Sequence, residues 1–200
     1  NILVQAAEDF DGGYALAGMI GHGDAFILRD PSGIRPTFWY ADDEVVVAAS
    51  ERPAIQTAFD LQTEQINELT PGHALIVKKD GSYGEEMIRQ PLEKKACSFE
   101  RIYFSRGSDR DVYRERIALG RSVCPAILEA VDHDLQNTVF SFIPNTAEVA
   151  CYGMLKELED ELDRVKEKRI LELGPKPDPA ELRSILAMRP RLEKVAIKDA

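Results

Sequence analysis

The sequence is short of the features that mark several function classes. Its three cysteines, Cys97, Cys124 and Cys151, are spread through 200 residues with no close-set pair, which excludes a disulfide framework and a four-cysteine zinc site. A reducing cytoplasm is the expected compartment. The three histidines, His22, His73 and His133, are equally isolated. None has a second histidine or cysteine at ligand spacing, so they suggest turn or surface positions and no metal site. No apolar run approaches the roughly 20 residues of a membrane span, and no basic stretch leads into an apolar signal segment. A soluble protein without a membrane partner is expected. Positive charge is scarce as well: 25 Lys and Arg against 35 Asp and Glu leave a net charge of -10. Nucleic acid is therefore not expected as a partner, although a local basic patch could hold a small anion. An initiator methionine is also missing. Asn1 is followed by Ile2, Leu3, Ala6 and Ala7 at helical spacing, so the chain reads as an internal piece of a longer protein.

What is present is enough for a real core: 44% of the residues are hydrophobic, and the length suits one large domain or parts of two. The first half is rich in strands. Asp11, Gly12 and Gly13 turn into a strand from Tyr14 to Ile20, and Gly21 to Asp24 turn into Ala25 to Arg29, predicting a hairpin. Further strands are expected at Pro36 to Tyr40, Glu44 to Ala49, Ala74 to Lys79 and Glu86 to Gln90, interrupted by one helix from Pro53 to Phe59. The run Val45 to Ala49 lacks polar alternation, which predicts a strand covered on both faces in a layered sandwich. Between Arg29 and Pro36, two prolines and a glycine restrain the backbone, and Asp30 can accept hydrogen bonds from nearby amides or an arginine.

The stretch from Cys97 to Asp109 carries Phe99, Tyr103, Phe104, Arg101 and Arg106. Its rings offer buried area to a junction, and its arginines can pair with carboxylates or a phosphorylated ligand; an ordinary strand packing its rings into two cores is the alternative. Beyond it the pattern turns helical. A helix from Arg110 is predicted to carry Val112, Ile117, Leu119, Val123, Ile127, Leu128 and Val131 toward a core, bent or split at Pro125. A strand is expected from Thr138 to Ile143. Pro144, Asn145 and Thr146 then turn into a helix, with Asn145 as N-cap and Glu148 in the capping-box position. A strand, a tight turn and a helix start can hold an anion on backbone amides. Met154, Leu155, Leu158, Leu162, Val165 and Leu171 share one face of a long helix whose other faces are charged. Gly174, Pro175, Pro177 and Pro179 end it. A short helix from Ala180 to Met188 and a strand from Arg191 to Ile197 follow.

The ordered set of Asp30 to Pro36, Ala49 to Glu51, Pro71 with Gly72, and Cys97 to Arg106 resembles the amidophosphoribosyltransferases. The resemblance covers residues from about 11 to 150, and Asp30, Gly33, Arg35, Ser50 and Glu51 are its structural motif. It implies an α+β then α/β chain: the C-terminal half of an N-terminal-nucleophile αββα glutaminase sandwich in residues 1–95, joined to the start of a type I phosphoribosyltransferase domain in residues 96–200. Residues 154–190 read as a helical insertion, a candidate subunit contact. The family joins glutamine-derived ammonia to phosphoribosyl pyrophosphate to make 5-phosphoribosylamine, the first step of purine biosynthesis. On this resemblance the catalytic cysteine, the glutamine clamp, the acidic phosphoribosyl loop and its magnesium ligands lie outside the chain, so the segment alone is expected to be inactive. Asn1 cannot replace a terminal cysteine that uses its own amine as base.

Within the chain, the resemblance assigns Pro144, Asn145 and Thr146 to a pyrophosphate loop and Tyr103 and Arg106 to an interdomain ammonia path, with Phe99, Ile102 and Phe104 as packing. Some family members use a cysteine at the Cys97 motif as an iron-sulfur ligand; a structural thiol is expected here. The intact protein is expected to be a cytoplasmic homo-oligomer. A non-catalytic scaffold that keeps the fold is the alternative function.

Overall fold

The structure is a computed structural model that describes residues 2–197. Asn1, Lys198, Asp199 and Ala200, on which the reading of the two chain ends rests, lie outside the described residues. Contacts divide the chain into two compact units, one ending at Asp109 and the other beginning at Arg110. Residues 96–109 therefore stay with the first unit.

The first unit holds two antiparallel sheets. Helix α1 (Ile2–Ala7) leads into β1 (Ala15–Met19) and β2 (Ala25–Arg29), which pair in register from Ala15 with Arg29 to Met19 with Ala25. Strands β3 (Phe38–Ala41) and β4 (Val46–Ala49) follow, then α2 (Arg52–Phe59) and β5 (Asn67–Glu68). Strands β6 (His73–Val77) and β7 (Tyr83–Met87) complete the unit's sheets, whose orders are β1-β2-β6-β7 and β4-β3-β5. Leu28, Ala74 and Ile88 bury a core with Ala7 of α1, flanked by Leu3, Val4 and Phe26. The two sheets meet where Trp39 stacks edge-on against Tyr83 and donates its indole N–H to Glu85 at 2.8 Å. Helix α2 begins with proline in its first turn, where the missing N–H costs no bond, and stops where Asp60 turns left-handed and bonds back to Gln56.

Three expectations for this unit need correction. Val46 to Ala49 is only half-buried at every position, because β4 is the edge of its sheet. The last strand lies at Tyr83–Met87, three residues earlier than Glu86 to Gln90, since the Asp80-Gly81 turn leads straight into it. The aromatic stretch is no strand: Glu100–Phe104 closes a single π-helical turn, with the Ser105 amide donating to the Glu100 carbonyl. A short 3-10 turn at Thr63–Gln65 and the two-residue β5 carry no hydrophobic pattern and were not anticipated.

In the second unit α3 (Arg110–Ala130) packs along α4 (Glu148–Glu172), and α5 (Pro179–Leu186) follows. Strands β8 (Val139–Phe140) and β9 (Arg191–Leu192) pair in parallel, so α4 and α5 form the crossover between them. Both strands are shorter than the sequence patterns at Thr138 to Ile143 and Arg191 to Ile197. Helix α3 runs unbroken through Pro125, so of the bend or split expected there the split does not occur. Its buried stripe is also different: Val112, Arg116, Gly120, Cys124 and Leu128, spaced by four, face inward, while Leu119 and Val123 are exposed. The stripe is set by Gly120, which lies against the backbone of α4 at Ala150 and Met154, while Gly153 lies against Ile117. No larger residue fits this crossing. The apolar face of α4 is buried at Met154, Leu158 and Leu162 but ends there, and Leu171 is exposed. Helix α5 has a side-chain cap, with Asp178 accepting from the Ala180 amide at 3.2 Å.

Candidate functional site

The loop after β2 is built by two fully buried charged residues. Asp30 accepts hydrogen bonds from the amides of Ser32, Ile34 and Arg35 at 2.9 to 3.1 Å. Its charge is balanced by partial positive charge on three N–H groups, so no side-chain cation is required. Gly33 takes the left-handed conformation (φ 60), and an added Cβ would stand 2.9 Å from Pro71. Arg29 donates to the carbonyls of Leu69 and Arg35 and pairs with Glu68 at 2.9 Å. Burial pushes the Glu68 carboxyl up, but Arg29 and Lys94 outweigh it and hold the group below its ordinary pKa. Asp30 and Gly33 thus fix the backbone, and the loop presents Arg35, half-exposed, at its far end.

Arg35 opens onto a cleft of about 320 Å³ lined by Ala15, Pro36, Ser50, Glu51, Glu100 and Phe104. The fold therefore gathers residues from four separated stretches of sequence: the start of β1, the loop after β2, the end of β4, and the π-helical turn. Glu100 is almost fully buried and pairs with Arg35. Glu51 pairs with Arg106, whose Nε is 3.2 Å from Oε2. Both contacts are within ion-pair range, yet neither carboxylate oxygen receives a well-aligned hydrogen bond. One residue on, Arg52 grips Asp109 through two parallel bonds of 2.9 and 2.7 Å and lies over the Phe38 ring. Sequence reading singled out Arg35, Ser50, Glu51 and Arg106 but not the pairing of Arg52 with Asp109. No local spacing signals an ion pair across 57 positions.

Phe99, Tyr103 and Phe104 stack on one another with ring centroids 5.2 to 5.7 Å apart. All three rings and Ile102 are substantially exposed, so the packing of Phe99 and Phe104 is against each other and Tyr103. A π-helical turn puts successive rings on its outside, where they cover each other. Cys97 is partly buried, and its amide donates to the Ile34 carbonyl at 3.2 Å. Cys124 and Cys151 are buried in the second unit's core, where burial first and nearby glutamates second push both thiols up. No cluster of three or more metal-binding side chains occurs among the described residues.

Pro144, Asn145 and Thr146 lie between β8 and α4, with Asn145 exposed and its neighbours half-buried. The expected capping box is not made. Ala147 takes the cap position without a side-chain bond, and the Asn145 carbonyl accepts from the Glu148 amide at 3.3 Å. Helical backbone at Ala147 draws the helix start past Asn145, so its side chain is out of reach of the first-turn amides.

No protein-family model matches the chain. The amidophosphoribosyltransferase of Methanothermobacter thermautotrophicus is 30% identical over 127 residues, which cover 60% of this chain and 25% of that protein. The amidophosphoribosyltransferase of Lachancea kluyveri is 30% identical over 148 residues, 68% of this chain and 28% of that protein. That of Escherichia coli K12 is 31% identical over 147 residues, with the same coverage of each. A solved structure described as glutamine phosphoribosylpyrophosphate amidotransferase from B. subtilis, complexed with ADP and GMP, superposes with a TM-score of 0.61 at 23% identity, covering 96% of this chain and 41% of that one. A second, described as the allosteric regulatory enzyme of purine biosynthesis, gives a TM-score of 0.60 at 26% identity, covering 78% and 32%. In sequence and in fold the chain is similar to these enzymes, and it spans about a quarter of the length of the curated relatives it matches.

Proposed function

We infer that the chain is a segment of a divergent amidophosphoribosyltransferase. The intact protein would transfer ammonia derived from glutamine to phosphoribosyl pyrophosphate: nitrogen bonds to the ribose carbon as the bond to diphosphate breaks, giving 5-phosphoribosylamine and pyrophosphate. The observation that carries this reading is the convergence of Arg35, Ser50, Glu51 and Glu100, from separate parts of the resembling motif set, on one cleft, in a chain similar to these enzymes in sequence and fold. Residues 1–95 then belong to a glutaminase sandwich and residues 96–200 to the start of a phosphoribosyltransferase domain whose first stretch, 96–109, stays with the first compact unit, with 154–190 an insertion that a homo-oligomer could use as a contact. Pro144, Asn145 and Thr146 would face the diphosphate at the start of α4, where N–H groups and the helix dipole favour an anion. Tyr103 and Arg106 would border the route taken by ammonia. Such a route needs shielding from water, because ammonia near neutral pH is mostly the non-nucleophilic ammonium ion.

Magnesium, when bound by the intact enzyme, would offset diphosphate charge. The resemblance places its ligands in the acidic phosphoribosyl loop, outside this segment. The decisive experiment is a steady-state assay of the full-length protein with glutamine, phosphoribosyl pyrophosphate and magnesium. Pyrophosphate and glutamate should appear in equal amounts, each dependent on both substrates. A folded full-length protein that releases neither is a scaffold and overturns the reading.

A further inference from the structure

Three ion pairs hold the segment Glu100 to Asp109 against the body of the first unit: Arg35 with Glu100, Glu51 with Arg106, and Arg52 with Asp109. The third has the best geometry. Its two bonds match the guanidinium fork to both carboxylate oxygens, and the side chains are only 14% and 7% exposed. Desolvating two charges costs free energy that such a pair regains only when it is well aligned, so a buried pair adds little stability over apolar packing. What it does supply is one defined geometry, because a two-pronged contact fixes orientation as well as distance. Glu51 and Arg52 are adjacent at the start of α2, so this one point grips the segment at both Arg106 and Asp109. Arg35 grips its other end. Between the grips lies the π-helical turn that carries Tyr103 and places Phe104 in the wall of the cleft.

We propose that Arg52 and Asp109 are positioning residues: they form a clasp that sets the turn Glu100–Phe104 against the cleft, and through it the efficiency with which glutamine-derived ammonia reaches the transferase reaction. The second part rests on the reading given under the proposed function. Neither residue touches a reacting atom. Both act through the segment they hold.

The test uses the full-length protein and compares wild type with Arg52→Lys and Arg52→Ala. Phosphoribosylamine formation is measured from glutamine and, separately, from ammonium chloride, together with glutamine hydrolysis. Arg52→Ala should lower the ratio of glutamine-driven to ammonium-driven synthesis by about tenfold or more, as expected when one partner of a buried pair is removed. Ammonium-driven kcat should stay within about twofold. Arg52→Lys keeps the charge but loses the fork, and its ratio should fall between the two. An unchanged ratio, or proportionate loss of all three activities in both variants, overturns the coupling role. Trypsin supplies an independent readout: Arg52→Ala should speed cleavage after Arg101 and Arg106. Unaltered cleavage overturns the clasp itself, whereas a wild type inactive with both nitrogen sources overturns the functional reading on which the coupling rests.

Discussion

Gly120 is the position where the packing makes its sharpest demand. An alanine Cβ there would lie 2.7 Å from the Met154 amide nitrogen and 2.8 Å from the Ala150 carbonyl carbon, with the carbonyl oxygen nearer still. Ordinary contact begins at 3.4 Å, and the carbonyl oxygen falls furthest short of it, so α3 and α4 would have to separate by about 1 Å or more. A gap of that size along a close-packed seam forfeits roughly a quarter to a half of each dispersion contact it opens. The seam includes Cys124, Leu128, Cys151, Met154, Leu158 and Leu162. Overpacking typically costs about 1–3 kcal/mol, and backbone atoms on both sides put this site at the upper end. Against that, alanine gains about 1 kcal/mol over glycine in a helix. The net expectation for Gly120→Ala is a loss of about 2 kcal/mol. With a urea m-value of about 2 kcal/mol/M, the midpoint followed by far-UV circular dichroism should fall by about 1 M. Gly153→Ala meets the Ile117 backbone in the same way and should behave alike. The sign is diagnostic. If the two helices did not cross at these glycines, each substitution would raise the midpoint by its helix-propensity gain alone, and a midpoint that rises or stays level refutes the crossing.

Two further outcomes follow from single groups. Asp24 accepts from the Lys79 amide and is next bonded by Lys78 and His22, which together lower its pKa from 3.8 to about 2. A carboxyl depressed on folding stabilises the fold above its unfolded pKa and loses that contribution as pH falls through its folded value. The melting temperatures of wild type and Asp24→Asn should therefore differ at neutral pH and converge as pH falls from about 4 to about 2; curves that stay parallel across that window contradict the assignment. Of the three thiols, only Cys97 is partly accessible, while Cys124 and Cys151 are buried with their pKa raised. Brief alkylation of the native protein at mildly alkaline pH, read by peptide mass spectrometry, should modify Cys97 well before the other two. Equal labelling of all three would show that the second unit's core is open.

The legible part of this protein was local. The β1–β2 hairpin, the proline-led start of α2, the glycine and proline stop of α4, and the Asp30 to Pro36 turn all follow from residues within a few positions of one another. The cleft was legible in part, since Arg35, Ser50 and Glu51 stand in the motif that carried the family resemblance. The misreadings have a common cause. The buried stripe of α3 contains an arginine and a glycine, so a search for apolar spacing chose Leu119 and Val123, which face outward. Asn145 had the chemistry of a cap, but the helix start is set by backbone that turns helical at Ala147.

By itself, the sequence determined the class of the chain: strand-rich then helix-rich, acidic, without a cysteine framework, and similar in its motifs to one enzyme family. Charge, periodicity and turn chemistry act over short distances along the chain, so they can be read without coordinates. Only the tertiary structure decided that Glu100 is buried against Arg35, that Arg52 holds Asp109, and that Gly120 and Gly153 let two helices touch. Those contacts join residues tens of positions apart, and which pairs form depends on how the sheets and helices pack.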